Sequence, residues 1–144
     1  MKSVKDILRI KGDQVWSVHP DDSLFEALRI MSERNVGALV VLEGENLVGV
    51  ISERDYARKI ILKGKTSRET RVREVMSENP ICVDPDTEVE ICMALMTDQR
   101  VRHLPVLDRG RLVGVISIGD VVKAVLSEKE FLIEQLEKYI RGHR

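Results

Sequence analysis

Two short phrases carry the residues best suited to chemistry, Gly49-Val50-Ile51-Ser52-Glu53-Arg54-Asp55 and Gly114-Val115-Ile116-Ser117-Ile118-Gly119-Asp120. In each, an apolar strand runs into a helix start, with a hydroxyl and a carboxylate three residues apart. A helix start has unpaired N–H groups and a partial positive charge, which suit phosphate. The serine hydroxyl can join those donors, and a carboxylate can accept both hydrogen bonds of a ribose diol. The same spacing is also ordinary capping, which stabilises a helix without any ligand. Two copies leave both readings open, because duplication copies caps as faithfully as sites.

The phrases belong to a longer repeat. Offset by 65 positions, Val18–Asp55 aligns with Val83–Asp120 without a gap. Identities include Pro20/Pro85, Asp21/Asp86, Met31/Met96 and Leu39/Leu104, then the whole of Leu47–Ser52 against Leu112–Ser117. An earlier echo, Val4-Lys5-Asp6-Ile7-Leu8 against Val72-Arg73-Glu74-Val75-Met76, lies at an offset of 68. One unit has been duplicated, with about three extra residues near Lys11–Gln14.

Each unit reads as strand, helix, strand, strand, helix. Val15–Val18 and Ile81–Val83 are β-prone runs stopped by Pro20 and Pro85. Ser23-x-x-Glu26 and Thr87-x-x-Glu90 are capping boxes that predict helix starts. Leu24, Ala27, Leu28 and Met31, and likewise Val89, Cys92, Met93 and Met96, recur at helical spacing and face the core. Val36–Leu42 and Val101–Leu107 lead through glycine-containing turns into the return strands, so each unit holds a β-hairpin. Second helices are expected near Asp55 and Asp120. Lys63–Arg71 reads as a solvated surface link, and Ser127-x-x-Glu130 as the cap of a final helix striped by Leu132, Leu136, Tyr139 and Ile140. A half-size unit cannot bury both faces of its own sheet, so the two must share a core.

Composition narrows the function. The chain has 144 residues, 23 basic and 24 acidic, and a net charge of −1, so nucleic acid is a disfavoured partner. No apolar run suits a membrane span, and the start lacks the core of a secretory signal; the expectation is a cytoplasmic protein. Cys82 and Cys92 form no metal or disulfide pattern, and Cys92 reads as a buried thiol. His19, His103 and His143 are too scattered for zinc. His103 is either an ordinary satisfied side chain or a ligand contact, and Trp16 either stacks on a base or fills space beside the first strand.

With the G-h-h-S-x-x-D phrase (h, hydrophobic) intact twice, and Arg102-His103-Leu104-Pro105-Val106 as a second strand, the chain resembles a CBS-domain pair, a cystathionine-β-synthase type of regulatory module. The resemblance covers Val4 to about Leu126. It implies an α/β fold of tandem β-α-β-β-α repeats related by a pseudo-twofold axis, with a C-terminal helix as in stand-alone bacterial and archaeal members. The repeats would span 1–66 and 67–126, and the helix 127–144. It further implies adenosine ligands in clefts between the repeats, AMP first, with ADP, ATP, NAD(H) and S-adenosylmethionine as others, and no metal.

Carried over by position, one cleft would combine Ser52, Arg54 and Asp55 with Ile81, Arg102 and His103. The other would combine Ser117 and Asp120 with Ser17, Gly37 and Ala38. Arg54 and Arg102 would make the first cationic, whereas the second, with Gly37 and Gly119, would be roomier and poorer in charge. Val40 stands where the second repeat has Pro105, a departure at the start of that strand. The leading expectation is a non-enzymatic sensor acting as a homodimer on a regulated protein, itself unknown. A structural association module with empty clefts is the alternative. An enzyme comes third, because neither serine has a base nearby in sequence and no P-loop pattern occurs.

Overall fold

The computed structural model describes residues 2–140, and the side chains in that span other than those at 128–132, 135, 139 and 140. The elements run α1 (Val4–Lys11), β1 (Ser17–Val18), α2 (Leu24–Arg34), β2 (Ala38–Glu43), β3 (Asn46–Ser52), α3 (Glu53–Lys59), β4 (Ser77–Glu78), α4 (Val89–Gln99), β5 (His103–Asp108), β6 (Arg111–Ser117) and α5 (Ile118–Ile140). Short 3-10 turns occupy Ile61–Lys63 and Val72–Glu74. Strands β1 to β4 form one sheet, with β1 parallel to β2 and the remaining pairs antiparallel. The hairpin β5–β6 forms the other, with a single parallel bridge from Val83 to Val106 in the place of β1.

The expected first strands are shorter than the β-prone runs that encode them. Val15 and Trp16 line one cleft and Pro80 and Ile81 the other, so only Ser17–Val18 and Val83 pair in the sheets. Helices α2 and α4 end alike, on Asn35 and Arg100 in the left-handed region at φ 55°, where the chain turns into the next strand.

The segments that lead each repeat change places. Helix α1 opens the first repeat but docks on the second: Val4 N–H donates to the Thr87 carbonyl, Lys5 N–H to Pro85, and Val89 N–H to Lys2, at 2.9–3.0 Å. The turn Val72–Glu74 opens the second repeat but docks on the first, with Val72 N–H on Asp22, Arg73 N–H on Pro20 and Leu24 N–H on Thr70. Side chains follow. Val4 and Ile7 complete a core of Val89, Cys92, Met96, Leu104, Val106, Ile116 and Val121, and Val72 and Val75 complete one of Leu24, Ala27, Met31, Leu39, Val41 and Ile51. Burial pushes the Cys92 thiol up to about 11, in keeping with an inert packing residue.

Two expectations at element ends are overturned. Thr87 does not cap α4: its hydroxyl accepts from Asp84 N–H, and Glu88, the residue in register with Ser23, takes the N-cap without a side-chain bond. Ser23 does cap, accepting from Glu26 N–H at 3.1 Å. Ser127 opens no helix, because α5 runs unbroken from Ile118; its hydroxyl donates back to the Ala124 carbonyl, as a mid-helix serine can. On the expected C-terminal stripe Leu136 is exposed, while Leu132, Tyr139 and Ile140 lie outside the described side chains. The link 63–71 is more than a solvated turn: the Ser67 and Thr70 carbonyls take the first N–H groups of α2, and Arg68 stacks over Phe25 at 4.1 Å.

Glycine in the repeated strand makes room for the exchanged segments. A methyl group at Gly49 would stand 2.8 Å from Met76 Sδ and 2.9 Å from the Ser77 carbonyl oxygen; one at Gly114 would meet the Leu8 side chain at 2.7 Å. Leu8 can rotate away, whereas the Ser77 backbone is held in β4. Gly49→Ala is therefore expected to destabilise by roughly 1–3 kcal/mol, and Gly114→Ala by less. Urea unfolding of the two variants checks the order, and a reversed order would contradict this account of the packing.

Candidate functional site

Two concave clefts flank the starts of β2 and β5, where the repeats meet. The first, about 300 Å³, brings together Ser52, Glu53, Arg54, Asp55 and Arg58 from the β3–α3 corner with Ile81, Arg100, Arg102 and His103 from the second repeat. All six residues expected in one cleft line it. The second, about 370 Å³, brings Ser117 and Asp120 together with Val15, Trp16, Gly37, Ala38 and His103. Ser17 is not among its lining residues. Trp16 holds the position in register with Ile81, and Ser17, one step along β1, points away and is exposed. Alternation along a strand reverses the face with each residue, so the expectation was one residue out.

The serine–aspartate corners are capping boxes. Asp55 Oδ2 accepts from the Ser52 N–H and hydroxyl at 3.0 Å each, and Ser52 Oγ accepts from Asp55 N–H at 3.4 Å. Glu53 N–H donates to the Gly37 carbonyl. Three of the four donors at this helix start are thus satisfied internally, and attraction for an anion falls mainly to the arginines. Asp55 Oδ1 lies 3.4 Å from Lys59 Nζ. Asp120 is used similarly, Oδ2 accepting from Ser117 N–H at 2.8 Å while Ser117 Oγ accepts from Asp120 N–H at 3.1 Å. Neither crevice is filled by these bonds.

The second cleft is roomier and poorer in charge than the first, as expected, but it holds one cation that the sequence did not mark. Lys11, at the end of α1, reaches in and donates to Asp120 Oδ2 at 2.6 Å and to the Val115 carbonyl at 2.8 Å. Burial acts to raise the Asp120 carboxyl, but the bonds from Lys11 and the Ser117 N–H outweigh it and hold the group below the usual carboxylate range. No local pattern marked Lys11 for this site, since it lies outside the aligned repeat and arrives through the exchanged helix. Trp16 carries the Arg34 guanidinium over its ring at 4.1 Å, so one face is already covered.

His103 and Gly37 line both clefts, and a β-carbon on Gly37 would lie 3.7 Å from the imidazole. The shared wall is one side chain thick. Burial pulls His103 down to about 4, with Lys11 and Arg102 adding to the effect and Asp120 opposing it. The imidazole is neutral at pH 7, with one N–H to donate and one nitrogen to accept. Among the described residues no group of three or more His, Cys, Asp or Glu is placed to hold a metal, and no helix is long and apolar enough to cross a membrane.

The model of the CBS domain family matches residues 3–62 and 72–127. The chain is 41% identical to a mitochondrial CBS domain-containing protein of Arabidopsis thaliana, CBSX3, over 97% of this chain and 72% of that one. Among solved structures it is similar to the CBS domain NE2398 (47% identity, TM-score 0.83, 87% of this chain and 98% of that one). It is also similar to the CBS domain pair of protein MJ0100 solved with 5-methylthioadenosine and S-adenosyl-L-methionine (25% identity, TM-score 0.77, 89% and 98%).

The depressed His103 predicts a pH dependence of stability. Its folded value lies below the unfolded value of about 6.5, so the unfolded chain binds the extra proton between the two. The contribution is complete above about pH 6.5 and is lost as pH falls towards 4, amounting to roughly 1–3 kcal/mol. Urea unfolding at stepped pH should show this decline, flattened in His103→Gln. An equal slope in the variant would place the proton uptake elsewhere.

Proposed function

The chain belongs to the CBS-domain family, as a pair of its repeats, and on that premise we propose that it is a regulatory module binding an adenosine nucleotide, AMP first, between those repeats. The observation that carries this reading is the convergence of Ser52, Arg54 and Asp55 from one repeat with Ile81, Arg102 and His103 from the other on a single open cleft. Arg58 and Arg100 bring the guanidinium groups there to four, against the carboxylates of Glu53 and Asp55. Guanidinium pairs with phosphate through charge-assisted, bidentate hydrogen bonds. The carboxylate of Asp55 can take a ribose diol once Lys59 turns aside.

The ligand would contact both repeats at once and stabilise one arrangement of them. Preferential binding to one arrangement is what lets occupancy be read by another protein. The alternative, a structural module with empty clefts, draws support from the capping boxes, because both aspartates already serve their own helices. Thermal unfolding separates the two: a ligand at 100 times its dissociation constant adds about 2.7 kcal/mol. AMP, ADP, ATP, NAD(H) and S-adenosylmethionine form the panel. Arg54→Ala and Arg102→Ala are each expected to weaken AMP binding about tenfold without loss of fold, as read by calorimetry. No stabilisation by any compound supports the structural module instead.

The signalling unit in this reading is a homodimer. Val122, Leu126, Ile133 and Leu136 are exposed on α5, 39–54% each, and extend the apolar surface of its outer side. Ending the chain after Leu126 is expected to lower the dimer fraction in light scattering at micromolar concentration. An unchanged mass would move the interface elsewhere.

A further inference from the structure

In both clefts a lysine meets the corner aspartate: Lys59 of the same helix stands 3.4 Å from Asp55 in the first, and Lys11 of helix α1 lies 2.6 Å from Asp120 in the second. Lys11 Nζ lies on Asp120, and both side chains are partly shielded, 37% and 21% exposed. In the first cleft the position in register with Lys11 is Asn79, which is not among the lining residues. The carboxylate that could take a ribose diol in the second cleft is already bound, through Oδ2, to a cation from the leading helix of the other repeat.

A diol that takes both oxygens of Asp120 has to displace that cation from Oδ2. Lys11 then keeps the Val115 carbonyl but loses its counter-charge in a partly shielded site, which is unfavourable. An anionic group on the same ligand can replace the carboxylate, letting Lys11 change partners from Asp120 to the ligand. A neutral ligand leaves the ammonium without that carboxylate, and S-adenosylmethionine brings a net positive charge, its sulfonium and ammonium outweighing its one carboxylate. Lys11 ends a helix, and it and Asp120 also line the groove between α1 and α5, so the side chain has room to swing. The neighbouring imidazole of His103 is uncharged at pH 7 and offers no substitute anion.

We propose that Lys11 sets the selectivity of the second cleft, admitting adenosine compounds that carry a phosphate and rejecting neutral or sulfonium ones. This rests on reading the clefts as adenosine sites. It sets this cleft apart from the MJ0100 pair, whose ligands are one neutral thioether and one sulfonium.

Trp16 lines the second cleft and is the one tryptophan of the chain, so its fluorescence and indole N–H resonance report on that cleft. The full-length protein is titrated with AMP, adenosine and S-adenosylmethionine, following Trp16 together with total heat. In the wild type AMP is expected to bind at least about tenfold more tightly than adenosine at the Trp16 signal, with S-adenosylmethionine weakest. Lys11→Met should narrow the AMP-to-adenosine ratio to about threefold or less while tightening adenosine, and Lys11→Arg should retain the preference. An unchanged ratio in Lys11→Met, or a wild-type preference for adenosine or S-adenosylmethionine, overturns the proposal. So does binding heat with AMP and a silent Trp16, which leaves the nucleotide reading standing on the first cleft. Absence of heat with every compound removes both.

Discussion

The Val4 N–H bonded to the Thr87 carbonyl, mirrored by the Val72 N–H on Asp22, holds this architecture together. Each repeat lends its opening segment to the other, and with it two aliphatic side chains that finish the other's core. Neither half is complete alone, so burial of apolar surface ties the two into one unit. The repeated strands must then be thin at one point, which Gly49 and Gly114 provide for Met76 and Leu8. The clefts lie at the same seam.

The exchange has an electrostatic consequence. The lead segment of the first repeat is a full helix ending in Lys11, whereas that of the second is one 3-10 turn followed by β4. Lys11 thereby enters a cleft whose other lining residues include no lysine or arginine. The first cleft draws its positive charge from arginines within the repeats. Two clefts descended from one ancestor therefore differ in the source and in the kind of their charge, a guanidinium cluster against one ammonium paired with a carboxylate. They meet at the Gly37–His103 wall, where a single neutral imidazole touches both spaces.

Capping and ligand binding compete for the same atoms. Ser52 with Asp55, and Ser117 with Asp120, satisfy helix starts that would otherwise leave polar groups bare. In each, the bond to the serine N–H uses Oδ2. The other oxygen of Asp55 is near Lys59, while both Lys11 and the cap fall on Oδ2 of Asp120. A corner of this kind serves the fold first and can serve a ligand with what remains.

Much of this is legible in the sequence alone. Periodicity placed α2 and α4, the identical Leu47–Ser52 and Leu112–Ser117 placed the return strands, and Ser23 marked a true cap, because these features depend on neighbours within a few residues. Thr87 and Ser127 misled for the same reason: a local pattern cannot tell whether the hydroxyl has a better partner, Asp84 in one case and the Ala124 carbonyl in the other. The resemblance grouped residues that line common clefts, except at Ser17, where Trp16 lines the cleft instead, since a strand of two residues leaves no alternation to read.

The sequence by itself determined the duplication, the α/β repeat and the serine–aspartate corners, all written in short-range spacing. Only the tertiary structure decided which segment completes which core, that Trp16 faces the second cleft, and that Lys11 occupies its carboxylate. Those outcomes join residues up to 109 positions apart, as Lys11 and Asp120 are. Such pairings follow from how apolar faces find each other in space, and no local rule along the chain records them.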